Sequence, residues 1–201
     1  MPDLNLCIST PRLNVHFFDP SNDAHCDFVL ELLDRPDPQV PDAAMDREGA
    51  RAILKNDLEK VSKTGYGRYA ISLKPSIASG DQNLDCSHDG VLVGLVSMQL
   101  NRFPGAPNIP DIGFGLLNRN YGKGYATEAA QGLLKYFEEE RGQTEFAGYC
   151  QLENLKSNNV FRRLGFEERG VREVGGIVTE TKLEVVVWTK NLERQLDEYG
   201  F

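Results

Sequence analysis

The chain has 201 residues, with 40% apolar and 26% charged side chains, enough for one large soluble domain and unlike a disordered or fibrous chain. Its formal net charge of −8 speaks against a nucleic-acid surface, which needs a basic footprint, and suits a cationic partner such as an amine or basic peptide, although acidity also serves solubility alone. The longest aliphatic run, near Val91–Val96, is far too short to span a bilayer, and the opening M-P-D-L-N-L-C lacks the basic and apolar regions of a secretory signal.

Cys7, Cys26, Cys86 and Cys150 lie far apart with no C-x-x-C pair, so zinc spacing is absent. They read as free thiols, and the expected compartment is the cytoplasm.

Cys7–Phe18 alternates well enough for a first strand. Asp19-Pro20-Ser21-Asn22-Asp23 is a turn offering an N-cap to a helix with Phe28, Val29, Leu32 and Leu33 on one side, which must stop before Pro36. Pro36–Met45 is a loop. A second helix over Ala50–Val61 carries Ala50, Ile53, Leu54, Leu58 and Val61. Gly65–Ala70 spells G-x-G-x-x-A, but it follows a helix and opens a strand, the reverse of a dinucleotide fingerprint, so it is a decoy. Pro75–Gly90 is polar and rich in turn formers, a hairpin connection. Val91–Leu100 is the best buried strand, and a proline-rich loop, Phe103–Pro110, returns the chain to a strand starting at Asp111.

The densest information follows. D-I-G-F-G-L-L suits a buried strand, and Ala126, Ala129, Ala130, Leu133, Leu134 and Phe137 mark a helix that Gly142 would end. Between them, Arg119-Asn120-Tyr121-Gly122-Lys123-Gly124 turns sharply at its glycines and points main-chain N–H groups into one concavity at a helix N-terminus. Such a turn accepts an anion, and its natural ligand is a phosphate or diphosphate. The spacing is neither a nucleoside-triphosphate P-loop nor G-x-G-x-x-G.

Thr144–Cys150 is the next strand, and strand–helix–strand of this length implies a parallel right-handed crossover. Asn154 is then the N-cap of a helix that Gly165 closes, with Phe166 packing back on Phe161. Two strands surround Gly175-Gly176, and Asn191–Phe201 is an acidic amphipathic tail in which Tyr199 reads as packing.

Arg119, Gly122 and Gly124 resemble the R/Q-x-x-G-x-G/A signature of the GCN5-related N-acetyltransferases (GNAT). The Y-A-T-E at 125–128, the T-x-R-L at 10–13, the V-G-L-V at 93–96 and the N-x-x-S…V-x-x-x-L-G-F of Asn154–Phe166 are similar to the RimJ/RimL-like branch. The similarity runs along nearly the whole chain but is specific only over Asp111–Phe166. It implies an α/β (α+β) fold with a mixed, mostly antiparallel sheet of about seven strands and about four helices, in one domain over residues 1–201.

The activity it implies is acetyl-CoA-dependent transfer of acetyl directly to a primary amine, on a protein N-terminus or a small molecule. The alternative is a coenzyme-binding module of the same fold without transfer. The implied coenzyme contacts are Leu116, Leu117, Arg119, Asn120, Tyr121, Gly122, Lys123, Gly124, Tyr125, Ala126, Thr127, Asn154, Ser157, Asn158 and Phe161. Leu116 or Leu117 would offer the N–H that meets the developing oxyanion, and Ser157 would donate to the departing sulfur. Asp111 is the candidate base, with Glu173 and Glu180 as alternatives. Capping explains Asn154 and Ser157 equally well, and a solvated strand end would explain Asp111. Cys150 lacks a histidine after it in the chain and is not expected to form an acetyl-enzyme. His16, His25 and His88 are scattered and have no role, and no metal is expected. The protein is expected as a monomer or homodimer with no nucleic acid or membrane partner.

Overall fold

In the computed structural model the residues described are 6–33, 46–74 and 90–201. Eight strands form one sheet in the order β1-β2-β3-β4-β5-β6-β8-β7. They are β1 (Cys7–Ser9), β2 (Leu13–His16), β3 (Gly67–Leu73), β4 (Leu92–Gln99), β5 (Asp111–Leu116), β6 (Phe146–Cys150), β7 (Glu167–Val174) and β8 (Leu183–Lys190), with helices α1 (Asp23–Leu33), α2 (Arg47–Thr64), α3 (Tyr125–Arg141) and α4 (Leu155–Arg163). The sheet has one strand more than expected because Cys7–Phe18 is a hairpin rather than one strand. Thr10 makes the turn: its N–H donates to the Leu13 carbonyl at 2.9 Å, and its hydroxyl accepts from the Leu13 N–H at 3.0 Å. Pro11, which has no N–H to give a ladder, sits at the bend.

The chain divides into two compact units, one within Met1–Val96 and Phe114–Ala129, the other Ser97–Gly113 with Ala130–Phe201. In the first, β2 pairs antiparallel with β1 and β3. Phe18, Cys26, Phe28, Val29, Ala50, Leu54, Ala70 and Leu117 form its core, with Leu32 packed against it. Asp46 caps α2 by accepting from the Gly49 N–H at 2.8 Å, and Gly65 ends it at φ +77°, so the first glycine of the decoy is a helix stop. Among the expected apolar faces, Leu33 is the exception and lies exposed. His16 and His25 are buried and hydrogen-bonded: the His16 ring lies 3.0 Å from the Ser72 hydroxyl, and His25 Nδ1 accepts from the Asp19 N–H.

In the second unit β5 and β6 pair in parallel, as the crossover rule requires, and β8 pairs antiparallel with β6 and β7. Val174, Ile177, Val185 and Val187 form one cluster, and Ile109, Ala147 and Tyr199 another. The acidic tail is thus ordered: it ends in a short 3-10 turn over Leu196–Tyr199, with Tyr199 buried and hydrogen-bonded to Glu145. α4 closes as a Schellman motif, with the Phe166 N–H on the Phe161 carbonyl, the Gly165 N–H on the Arg162 carbonyl, and Gly165 at φ +77°.

Cys7 departs from the free-thiol expectation, for it is disulfide-bonded; Cys26 and Cys150 are free and buried, and Cys86 lies outside the described residues. Chain spacing carried no sign of this, because a bridge between remote cysteines depends on tertiary approach alone. Among the described residues no helix is long and apolar enough to cross a membrane, and no cluster of His, Cys, Asp and Glu could hold a metal.

Candidate functional site: a glycine turn at the start of α3

β5 ends at Leu116, and the chain is pinned before it turns. The Leu117 N–H and the Asn120 side-chain amide both donate to the Val93 carbonyl, each at 3.2 Å. A 3-10 turn over Asn118–Asn120 follows, and then the backbone passes through the left-handed region twice, at Gly122 (φ +76°) and Gly124 (φ +80°). Among the described residues, a Cβ added at Gly122 would meet nothing within 4 Å. Glycine is therefore needed there for its backbone. Residues 121–124 are exposed.

α3 begins at Tyr125, and its first intrahelical bond is Glu128 N–H to the Gly124 carbonyl at 3.1 Å. Among the described residues, the main-chain N–H groups of residues 122–127 have no protein acceptor. That row of donors stands at the positive end of a 17-residue helix. Lys123 Nζ lies 3.3 Å from Asn120 Oδ1, and the Arg119 guanidinium is ion-paired with Glu31. The turn can therefore hold an anion with fixed dipoles and the nearby Lys123 ammonium, while the Arg119 charge is matched by Glu31.

Glu128 ties this turn to the N-terminal hairpin. Its carboxylate accepts from the Thr10 hydroxyl (2.7 Å), the Arg12 N–H (2.8 Å) and Arg12 Nε (2.6 Å). Partial burial pushes this carboxyl up, but those hydrogen bonds and the Arg12 charge together hold it below the usual glutamate range. Arg12 Nη1 in turn donates to the Lys123 carbonyl at 3.0 Å, inside the glycine turn.

Residues 17–167 match the family described as the acetyltransferase (GNAT) domain. The chain belongs to the GNAT acetyltransferase family. A 56-residue stretch is 39% identical to the uncharacterized N-acetyltransferase YnaD of Bacillus subtilis, spanning 27% of this chain and 33% of that protein. Three solved structures share the fold over nearly all of the chain. A GNAT-family acetyltransferase from Bacillus anthracis has TM-score 0.65 at 21% identity, covering 96% of this chain and 99% of that one. An acetyltransferase from Salmonella typhimurium, described as modifying the N-terminal serine of 50S ribosomal protein L7/L12, has TM-score 0.66 at 18% identity, covering 94% and 100%. RimL, a ribosomal L7/L12 α-N-protein acetyltransferase solved in complex with coenzyme A, has TM-score 0.66 at 18% identity, covering 92% and 97%.

Several side chains expected at the site are committed elsewhere. The Leu117 N–H, offered for the oxyanion, is occupied by Val93. Asn120 is buried, with its amide turned inward, so its part is to brace the turn. Asn158, also expected at the coenzyme, is buried in the second unit. Its Oδ1 accepts from Cys150 Sγ (3.1 Å) and Trp188 Nε1 (3.0 Å), and its Nδ2 reaches the Leu152 carbonyl. Phe161 is core too: it stacks on Trp188 at 5.7 Å over Gly148, where an added Cβ would come within 2.1 Å of the ring. Spacing could not distinguish these inward-facing positions from exposed ones, because both occur in the first turns of one short helix.

Asn154 does cap α4, accepting from the Ser157 N–H at 3.1 Å, and Ser157 is half-buried in the first turn. Asp111 is no solvated strand end; it is 5% exposed and paired with Arg102, whose Nη1 also donates to the Ile177 carbonyl at 2.8 Å. Arg102 thereby joins the Phe103–Pro110 loop to the turn after β7, and an added Cβ at Gly176 would lie 2.4 Å from the Ala106 nitrogen. The Phe103–Pro110 loop and the turn after β7 therefore pack on each other; the Pro36–Met45 loop falls outside the described residues. Burial raises the Tyr149 hydroxyl far above its ordinary range, and the Asp111 charge adds to this. Burial also pushes the Cys150 thiol up, the wrong direction for a nucleophile. Glu173 and Glu180 are exposed. Sequence reasoning missed the roles of Arg12 and Arg102; T-x-R-L and Y-A-T-E were both visible, but nothing local joins them.

Proposed function

We propose that the chain is an acetyl-CoA-dependent N-acetyltransferase, one domain over residues 1–201, that moves acetyl directly to a primary amine. The acceptor is a protein N-terminus or an amine-bearing small molecule. The observation that carries this reading is the row of N–H groups at 122–127 that have no acceptor among the described residues, opened by two left-handed glycines in a chain of this family.

Those residues fit a diphosphate. The space beside Gly122 is clear, the donors belong to the backbone and need no ordering, and the α3 dipole favours negative charge. Acetyl-CoA, when bound, supplies the acetyl as an activated thioester. The turn's part is to hold and aim that molecule, and positioning of this kind is a large share of catalysis in bimolecular transfer. By the family resemblance Asn154 serves the pantetheine arm and Ser157 donates a proton to the departing sulfur. The half-buried setting of Ser157 is compatible with that role. Cys150 takes no part: its thiol is buried and bonded to Asn158.

The amine must be neutral to attack. An α-amine titrates near ~8 and a lysine near ~10.4, so an N-terminal amine is the less demanding acceptor near neutral pH. Two structural neighbours act on a ribosomal protein N-terminus, which places a serine-initiated peptide among the acceptors to test. Asp111 is carried forward as base, acting through water, with its pairing to Arg102 as the feature to be tested against it.

A second reading, a coenzyme-binding module without transfer, draws support from two commitments: the Leu117 N–H to Val93 and Asp111 to Arg102. Calorimetry with coenzyme A, run beside a thiol-release assay on acetyl-CoA with a panel of amines and peptides, separates the two. Binding together with amine-dependent thiol release supports the transferase. Binding without release under any amine supports the module, and no binding overturns both.

A further inference from the structure

The glycine turn works only if its N–H groups, not its carbonyls, face the anion. In a trans peptide the C=O and the following N–H point in opposite directions, so whatever holds the Lys123 carbonyl also orients the Gly124 N–H. Glycine at 124 leaves that peptide unit unusually free to rotate. The group that holds the Lys123 carbonyl is Arg12 Nη1, at 3.0 Å.

Arg12 is itself held on several sides. Its Nε and Nη2 both lie 2.6 Å from Glu128 Oε2, and its N–H lies 2.8 Å from Oε1. The guanidinium sits 4.9 Å from the Tyr125 ring centroid, and its Nη2 is 3.3 Å from where a Cβ on Gly124 would stand. Thr10 completes the set, giving its hydroxyl proton to Glu128 while accepting from the Leu13 N–H in the hairpin turn. One carboxylate in the first turn of α3 thus fixes a guanidinium from the β1–β2 hairpin, and that guanidinium fixes a carbonyl between the two glycines.

We infer that Arg12 is a positioning residue for the diphosphate turn: locked by Glu128 and Thr10, it grips the Lys123 carbonyl and keeps the Gly124 N–H turned toward the anion. The inference rests on the proposed coenzyme reading. It differs from a direct role, in which Arg12 would itself be a phosphate ligand with Glu128 as a competitor for its charge. The two predict opposite signs for Glu128→Gln. A competing carboxylate, once neutralised, releases the cation and tightens binding; a locking carboxylate, once neutralised, loosens the grip and weakens it.

The experiment measures coenzyme A affinity by calorimetry at fixed ionic strength for the full chain, Arg12→Lys, Glu128→Gln and Thr10→Val, with thermal melting of each without coenzyme. Arg12→Lys keeps the charge but loses the planar fork that reaches both Glu128 and Lys123. The expected result is affinity lower by about 10- to 100-fold in Arg12→Lys and Glu128→Gln, the size of a lost charge-assisted hydrogen bond. A smaller loss is expected in Thr10→Val, and melting temperatures should stay within a few degrees of the parent. The Gly124 amide resonance should move on adding coenzyme A to the parent and should move less in Arg12→Lys. Tighter binding in Glu128→Gln, or unchanged affinity in Arg12→Lys, overturns the inference while leaving the coenzyme reading in place. Affinity that falls only in step with melting temperature across all three variants also overturns it, since the set would then be fold support alone. If the parent chain binds no coenzyme A, the coenzyme reading fails and this inference fails with it.

Discussion

Replacing Gly122 with alanine isolates the backbone's contribution to the site. Among the described residues a Cβ at this position would meet nothing within 4 Å, so the substitution adds no clash with them. The cost is conformational: at φ +76° an L-residue with a Cβ pays about 1–2 kcal/mol relative to glycine. If the turn keeps its shape, that penalty appears as lost stability. If the turn relaxes to negative φ, the N–H row breaks and the penalty appears as lost coenzyme affinity, roughly 5- to 30-fold. Because residues 121–124 are exposed, relaxation is the expected outcome. Calorimetry with coenzyme A should therefore show a 5- to 30-fold weaker complex with a melting temperature near that of the parent. Gly122→Asn should recover much of the loss, since asparagine tolerates the left-handed region better than alanine. An alanine variant matching the parent in both affinity and melting would refute the reasoning, because it would mean that φ at 122 has no bearing on the site.

Other outcomes follow from the same geometry. Gly148→Ala should cost about 1–3 kcal/mol by overpacking, because its Cβ would press within 2.1 Å of Phe161, and a denaturant midpoint measures it. The Glu128 carboxyl sits below its ordinary 4.5, so its contribution to stability is full above that value and is lost as pH falls through the folded value. Acid unfolding followed by circular dichroism should accordingly show a less steep loss in Glu128→Gln than in the parent. Cys150→Ala should retain amine-dependent thiol release, and an acetylated Cys150 seen by mass spectrometry would contradict direct transfer. Asp111→Asn should lower turnover far more than coenzyme affinity if Asp111 is the base; equal activity would assign the carboxylate to holding Arg102.

The reach of sequence reasoning was uneven for identifiable reasons. Periodicity in 125–137 and the stops at Gly65, Gly142 and Gly165 are local, and helix ends obey local sterics; each of these glycines has the positive φ expected of a helix stop. Rejection of Gly65–Ala70 as a nucleotide loop needed only the order of its neighbours. The inward-facing partners of Leu117, Asn120, Asn158 and Phe161 were not legible, because a residue's place in a motif does not say whether its polar atoms or its ring face inward. Val93 and Trp188, which decide that, lie in other strands. The hairpin at Thr10 was missed although Ser9-Thr10-Pro11-Arg12 interrupts the alternation, which resumes only at Leu13.

What the sequence by itself determined is the order of elements, the family and the glycine turn, because these depend on residues within a few positions of one another. Tertiary structure alone decided which carbonyl Arg12 holds, that Glu128 locks it, that Asp111 is buried against Arg102, and that Cys7 is bridged. The Arg12–Glu128 bonds join positions separated by 116 residues. No local rule predicts such a pairing, for its energy is realised only when the sheet and helices have already brought the two side chains together.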